Sequence, residues 1–245
     1  MTYCKFYTAG NTAALNYAIH YLKKENCEIL SNPEAATHLL LPVPSFESDG
    51  KIKGGGDLTA LLETISKNTI IFGGKLNRPE LAGYRTIDFL QDPLYLAENA
   101  SITAHCAMKL ATQKLPITLQ NCPVLIIGWG RIGKCLAALL RQMGASVTIA
   151  ARKEADRAIL AALGYKVTPT DSLETAPYRV IFNTVPVMVL PDTAGDGLKI
   201  DLASSLGMGG KDVIWARGLP NISAPESSGK LIARTAMRMV KELSL

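Results

Sequence analysis

The stretch Val124-Leu125-Ile126-Ile127-Gly128-Trp129-Gly130-Arg131-Ile132-Gly133 decides the fold. Its four leading apolar residues predict a strand covered on both faces, as in a parallel sheet. Three glycines follow at Gly-x-Gly-x-x-Gly spacing. Gly128 allows the tight turn, Gly130 lets a pyrophosphate approach the backbone, and Gly133 lets the next helix pack close to the strand. Downstream, Ile132, Leu136, Leu139, Leu140 and Met143 recur at helical spacing, Gly144 stops the helix, and Ser146–Ala150 forms a second strand. The helix start offers free N–H groups and a positive dipole end to phosphate. A glycine triad alone is weak evidence. Strand, turn, amphipathic helix, stop and second strand in order make it a dinucleotide-binding signature, with Gly128, Trp129, Gly130, Arg131, Ile132 and Gly133 as the expected contacts.

The end of the second strand selects the cofactor. An NAD site usually places Asp or Glu there to accept hydrogen bonds from the ribose hydroxyls. This chain has Ala150-Ala151-Arg152-Lys153. A carboxylate would repel a 2′-phosphate, whereas a guanidinium binds it in a fork, so Arg152 and Lys153 point to NADP. The competing reading is a solvated pair opening a helix at 154–163, whose start Glu154 and Asp156 suit.

Working outward, strand-like and helix-like segments alternate, which predicts an α/β chain with parallel sheets. Residues 3–8 read as a strand and 12–24 as a helix with Ala14, Leu15, Ala18, Ile19 and Leu22 on one stripe. Thr37–Val43, Thr69–Phe72 and Tyr84–Phe89 read as further strands, and 58–66 as a helix. The glycines of Lys51–Asp57 and Gly73-Gly74 are flexible turns or loops at strand ends near a ligand; the sequence leaves both open. A helix over 103–114 is expected, capped by Ser101 or Thr103, and the domain boundary falls within 93–120. Tyr178–Phe182 is a strand ending in Asn183-Thr184-Val185-Pro186, an ordinary turn or one offering polar groups to the nicotinamide side. Leu198–Leu202 is another, followed by Ala203-Ser204-Ser205. The last helix spans about 228–243 and needs a groove for its apolar stripe.

Composition excludes several classes. The chain has 245 residues, 48% hydrophobic and 19% charged, enough to bury a large core and too apolar for a disordered polymer. No apolar run reaches the roughly 18 to 20 residues that span a bilayer, and Met1–Phe6 lacks a secretory core, so the expected compartment is the cytoplasm. Five scattered cysteines without a Cys-x-x-Cys pair argue for reduced thiols. His20, His38 and His105 lie too far apart for a local metal motif. The net charge of +5 is dispersed and lacks the aromatic interleaving of a nucleic-acid groove, so it suits an enzyme for an anionic metabolite.

Taken in order, these blocks resemble the A subunit of dipicolinate synthase. The resemblance is carried by Leu41-Pro-Val-Pro44, Asn99 to Ala107, Gly128-x-Gly-Arg-x-Gly133, Ala151-Arg152, Asn183-Thr-Val-Pro186, Ile200-Asp-Leu-Ala-Ser204, and Gly218-Leu-Pro220 through Ala224-Pro225 to Gly229. It implies two αβα domains: a substrate-side domain over 1–100, a C-terminal Rossmann NADP-binding domain over 101–225, and a helix over 226–245 packing back on the first. It also implies a small dicarboxylate substrate, a partner in the form of a flavoprotein-like B subunit, and a place in the mother cell of a sporulating bacterium; homo-oligomer formation is left open by the sequence. The implied reaction oxidises dihydrodipicolinate to dipicolinate. Thr103, Asn183 and Ser204 are then candidates for positioning cofactor or substrate where the domains face each other, and His105 for acid or base, although a helical histidine is more often a surface residue. The chain departs from the family pattern in its shorter opening domain, at Ile102 to Cys106 where Pro-Thr-x-Glu-Gly is usual, at Ser205 to Gly210 where an Arg is usual, and at Glu226 where a Lys is usual. These departures keep another NADP-linked dehydrogenase on the same scaffold, or a non-catalytic dinucleotide-binding subunit, as alternatives.

Overall fold

The computed structural model describes residues 4–192 and 195–243. The chain divides into two compact units, one built from the residues up to Asn99 together with those from Pro220 onward, the other from Ala100–Leu219. Each is an α/β layer structure around one all-parallel sheet.

The first unit opens with β1 (Lys5–Thr8), α1 (Ala13–Lys24), β2 (Glu28–Ile29), β3 (His38–Leu40), α2 (Leu58–Thr64), β4 (Ile70–Gly73) and β5 (Thr86–Asp88). Its strand order is β2-β1-β3-β4-β5, with every pair parallel. Tyr3, the first residue of the expected opening strand, lies outside the described residues. Helix α1 starts where Thr12 Oγ1 accepts the Leu15 N–H at 3.2 Å, and it buries the stripe Ala14, Leu15, Ala18 and Leu22. The core holds a run of fully buried aromatics, Phe6, Phe72 and Phe89, with Tyr95 beside Phe89. Each buried Phe contributes up to about 3 kcal/mol.

Helix α3 (Pro93–Lys114) carries the chain into the second unit, and it corrects the sequence reading. The helix begins ten residues earlier than expected, so Ser101 and Thr103 cap nothing and lie inside it. The physical start signal is Asp92-Pro93: Asp92 Oδ2 accepts the Tyr95 N–H at 2.8 Å, and proline fills the first helical position, where no N–H is needed.

The second unit contains β6 (Pro123–Ile127), α4 (Arg131–Gln142), β7 (Ser146–Ala150), α5 (Glu154–Ala162), β8 (Lys166–Thr168), β9 (Val180–Asn183), β10 (Leu198–Asp201) and β11 (Val213–Trp215). Its order is β11-β10-β9-β6-β7-β8, again all parallel. This is the doubly wound order, with the chain reversing direction between β6 and β9. The register pairs Ile127 with Asn183, so the glycine loop and the Asn183–Pro186 turn leave the sheet side by side.

Two helices, α6 (Leu219–Ser223) and α7 (Pro225–Leu243), return the chain to the first unit. Helix α7 covers α1 with Leu231, Ile232, Ala236 and Val240 buried. Gly229 sets the closeness of that contact. A Cβ there would stand 2.4 Å from Ala14 O and 2.5 Å from Tyr17 Cβ. Arg238 on α7 forms an ion pair with Asp92, which ties the last helix to the start of α3.

The glycines left open by the sequence also resolve here. Gly54 (φ +77°) passes so close to Asn11 that a Cβ would lie 2.3 Å from its carbonyl oxygen. Gly73 and Gly74 let the loops after β3 and β4 meet, where Ser45 Oγ accepts the Gly74 N–H at 2.9 Å and donates to Pro42 O at 2.8 Å.

Candidate functional site

The switch point between β6 and β9 sets the site. Gly128 holds φ +103°, and its N–H donates to Ala150 O at 2.9 Å. A Cβ at Gly128 would stand 2.5 Å from Thr184 Oγ1 and 2.7 Å from Val185 Cγ2. A Cβ at Gly133 would stand 2.2 Å from Gly128 O. Both glycines therefore exist for close packing between loop, helix and turn. Gly130 differs. Among the described residues nothing lies within 4 Å of where its Cβ would be, and its backbone is extended (φ −81°, ψ −170°).

Gly130 is also the N-cap of α4 and supplies no side-chain hydrogen bond to the helix start. The first-turn N–H groups, from Arg131, Ile132 and Gly133, have no partner within the helix ladder. Open space above Gly130 and these donors could hold an anionic group such as a pyrophosphate. Trp129 is half-buried, with its ring centroid 6.2 Å from that of Tyr165 and Lys134 Nζ 5.7 Å from its centre. Arg131 is exposed.

At the end of β7, Ala151 is buried and Arg152 and Lys153 are exposed. The loop that carries them is held by a residue the sequence reading missed. Arg157 Nη1 donates to Ala151 O at 2.7 Å and to Arg152 O at 2.8 Å. Its position four residues past Lys153, one turn into α5, was the available signal.

Across the switch point, Asn183 closes β9 and is fully buried. Its Oδ1 accepts the Val185 N–H at 3.0 Å, and its Nδ2 donates to Val185 O and to Asp201 Oδ2, each at 3.0 Å. The carboxamide is thus turned inward and shapes the turn, the first of the two readings the sequence left open for Asn183. Thr184 Oγ1 donates to Ile127 O at 2.9 Å and pins the turn to β6. Val185 is half-buried and Pro186 exposed.

Asp201, the last residue of β10, also went unrecognised as a centre. It is fully buried. Oδ1 accepts the Ala203 N–H at 2.9 Å, and Oδ2 accepts Gly207 N–H at 2.8 Å and Met208 N–H at 3.1 Å besides Asn183 Nδ2. An Asp ending a buried strand, inside the block Ile200-Asp-Leu-Ala-Ser204, was the available signal. Ser204 and Ser205 stand exposed beyond it.

Thr103 is buried on the inner side of α3, so its hydroxyl is not offered at a helix start. His105 is exposed midway along the same helix, and Ile102 is half-buried there. Glu226, in the first turn of α7, accepts the Tyr21 hydroxyl at 2.9 Å, which gives this departure a structural use between α7 and α1. Burial raises the Cys4, Cys106 and Cys122 thiols and pushes Cys27 up to about 11, so none of these four is a ready thiolate nucleophile. None of the five cysteines forms a disulfide. Among the described residues no cluster of His, Cys, Asp or Glu could hold a metal, and no helix is long and apolar enough to cross a membrane.

Comparison with known proteins agrees with this geometry. Residues 123–206 match the family described as NADP oxidoreductase, coenzyme F420-dependent, so the glycine-loop sheet is similar to that of an oxidoreductase family of Rossmann type. A curated relative, the dipicolinate synthase A subunit of Bacillus subtilis (strain 168), is 28% identical over 160 residues, which cover 59% of this chain and 54% of the relative. The match thus spans about half of that relative's length. Among solved structures, the dipicolinate synthase A subunit of Bacillus halodurans has a TM-score of 0.84 at 20% identity, covering 96% of this chain and 97% of that one. Its Bacillus subtilis counterpart has a TM-score of 0.82 at 22% identity, covering 100% and 98%. A transhydrogenase from Sinorhizobium meliloti has a TM-score of 0.68 at 12% identity, covering 98% and 94%. In sequence and in fold, the chain is similar to the A subunit of dipicolinate synthase.

Proposed function

We propose that this chain is an NADP-linked oxidoreductase subunit that oxidises dihydrodipicolinate to dipicolinate. The observation that carries the reading is the switch point itself: an open glycine cradle at Gly130 on one strand end, with the exposed pair Arg152 and Lys153 on the next. The name of the relative, a dipicolinate synthase subunit, supports dipicolinate as the product, and dihydrodipicolinate is the substrate we propose for it. The balanced reaction is dihydrodipicolinate plus NADP⁺ giving dipicolinate, NADPH and a proton. The ring becomes aromatic, so the protein mainly has to hold a hydride acceptor against a ring carbon and take one proton. The relative is one part of a larger synthase, and a flavoprotein-like B subunit is the partner we propose for this chain in a sporulating mother cell.

His105, exposed on α3, is the proposed base, and Ser204, exposed after β10, the proposed hydrogen-bonding group. The test is a steady-state assay of NADPH formation from dihydrodipicolinate and NADP⁺, with and without the candidate flavoprotein partner. Turnover is expected, and His105→Asn is expected to lower it by about a hundredfold with cofactor affinity unchanged. Turnover equal to wild type in that variant removes His105 from the mechanism. No NADPH from this substrate under either condition rejects the substrate. A different NADP-linked dehydrogenation would then fit the loop after β10, where Ser205 to Gly210 lacks the basic residue of the family pattern.

Cofactor choice has its own measurement. Wild type is expected to bind NADP(H) at least about tenfold more tightly than NAD(H), a difference of about 1.4 kcal/mol. Arg152→Ala is expected to abolish that preference while leaving NAD(H) affinity unchanged, since the charge-assisted contact is to the 2′-phosphate alone. Equal affinities in wild type reject the assignment to NADP.

A further inference from the structure

We propose that Asp201 is the positioning residue for the nicotinamide half of the cofactor, acting through the two loops that its carboxylate joins. This rests on the dinucleotide reading above. In a doubly wound sheet the dinucleotide lies across the switch point, with one mononucleotide half over each set of strands. The glycine loop and Arg152 belong to the β6–β8 side. The other half therefore meets the loops that leave β9 and β10.

Those loops have one common root. Asp201 Oδ2 takes N–H bonds from Asn183 at the end of β9 and from Gly207 and Met208 in the loop after β10, and Oδ1 takes the Ala203 N–H. All four partners are neutral donors directed at an acceptor-only group. Asn183 passes the constraint on, because the same carboxamide grips both the N–H and the carbonyl of Val185. The loops are then laced to each other. Val189 N–H donates to Gly207 O at 2.9 Å, and Gly209 N–H to Leu190 O at 2.6 Å. Trp215 Nε1 donates to Ala203 O at 3.1 Å. Gly207 passes so close that a Cβ there would lie 2.5 Å from Asn183 Nδ2.

Burying a carboxylate is costly, and an apolar residue would fill the same space without that cost. What the carboxylate supplies is a single geometry for two loops whose tips stay open. Val187 is 59% and Met188 54% exposed, and Ser204 is exposed. Rooted loops with free tips match what a site needs to hold one ring against another within a fraction of an ångström.

The test separates the two halves of the cofactor. Binding of NADPH and of adenosine 2′,5′-bisphosphate is measured by calorimetry for wild type and Asp201→Asn, with far-UV circular dichroism as the folding control. The expected result is an NADPH affinity at least about tenfold weaker in the variant, from broken hydrogen bonds to a charged group. Affinity for the bisphosphate should stay within about twofold, because that fragment contacts only the β6–β8 side. A folding defect alone would weaken both ligands together. If Asp201→Asn does not fold, Asn183→Ala, which removes one of the four bonds, takes its place with the same expectation. Equal loss of both ligands, or loss of neither, overturns the proposal while the cofactor reading stands. A wild type that binds neither ligand overturns both.

Discussion

Gly130→Val is expected to weaken cofactor binding by more than about a thousandfold, or about 4 kcal/mol, in a protein that still folds. The two halves of that statement have separate causes. The backbone at Gly130 is extended, a conformation that a β-branched residue adopts readily, and the space around a Cβ there is open. The fold therefore has no reason to object. The same open space is where the phosphates of the proposed cofactor would approach the first-turn N–H groups of α4, and an isopropyl group would fill it. Thermal melting with and without NADPH reads both halves at once. The expected record is a melting temperature near that of wild type that no longer rises with added cofactor. A folded variant that retains the wild-type affinity would reduce the glycine triad to a turn.

Gly133→Ala, three residues along, is expected to fail in the opposite way. The added Cβ would meet Gly128 O at 2.2 Å, and that oxygen belongs to backbone fixed by neighbouring strands. Strand end and helix must separate, at a cost of about 4 kcal/mol, the range associated with steric disruption of a core. The denaturation midpoint should fall far below that of wild type even without cofactor. A midpoint equal to that of wild type would show that α4 can lift from β6 without loss. Together the two substitutions separate the glycine that serves the ligand from one that serves the packing.

Much of this was legible because sequence and geometry obey the same period. The run Val124 to Gly133 reads as strand, turn and helix, and the structure forms them at those places, with β7 matching Ser146–Ala150 residue for residue. Other features were hidden for physical reasons. The edge strands β2, β8 and β11 are two or three residues long and half-exposed, so they show neither alternation nor a buried run. The start of α3 was written in Asp92-Pro93, well before Ser101 and Thr103, whose residue types suggested a later cap. At the site, glycines and exposed basic residues announce themselves by type and spacing. Asp201 and Arg157 do not, because their importance lies in which backbone groups happen to surround them, and that is settled only when distant loops meet.

The route of the chain has a consequence for its birth. Residues on either side of the dinucleotide-type unit build the first unit, whose α1 is covered by α7, the last helix described. Synthesis proceeds from the amino end at about 5 to 20 residues per second. Once Leu219 has left the ribosome, every strand of the glycine-loop sheet is present, whereas the part of α1 that Gly229 packs against, at Ala14, Tyr17 and Ala18, still lacks its cover. The first unit can thus close only after the glycine-loop sheet has been made, when α7 reaches α1.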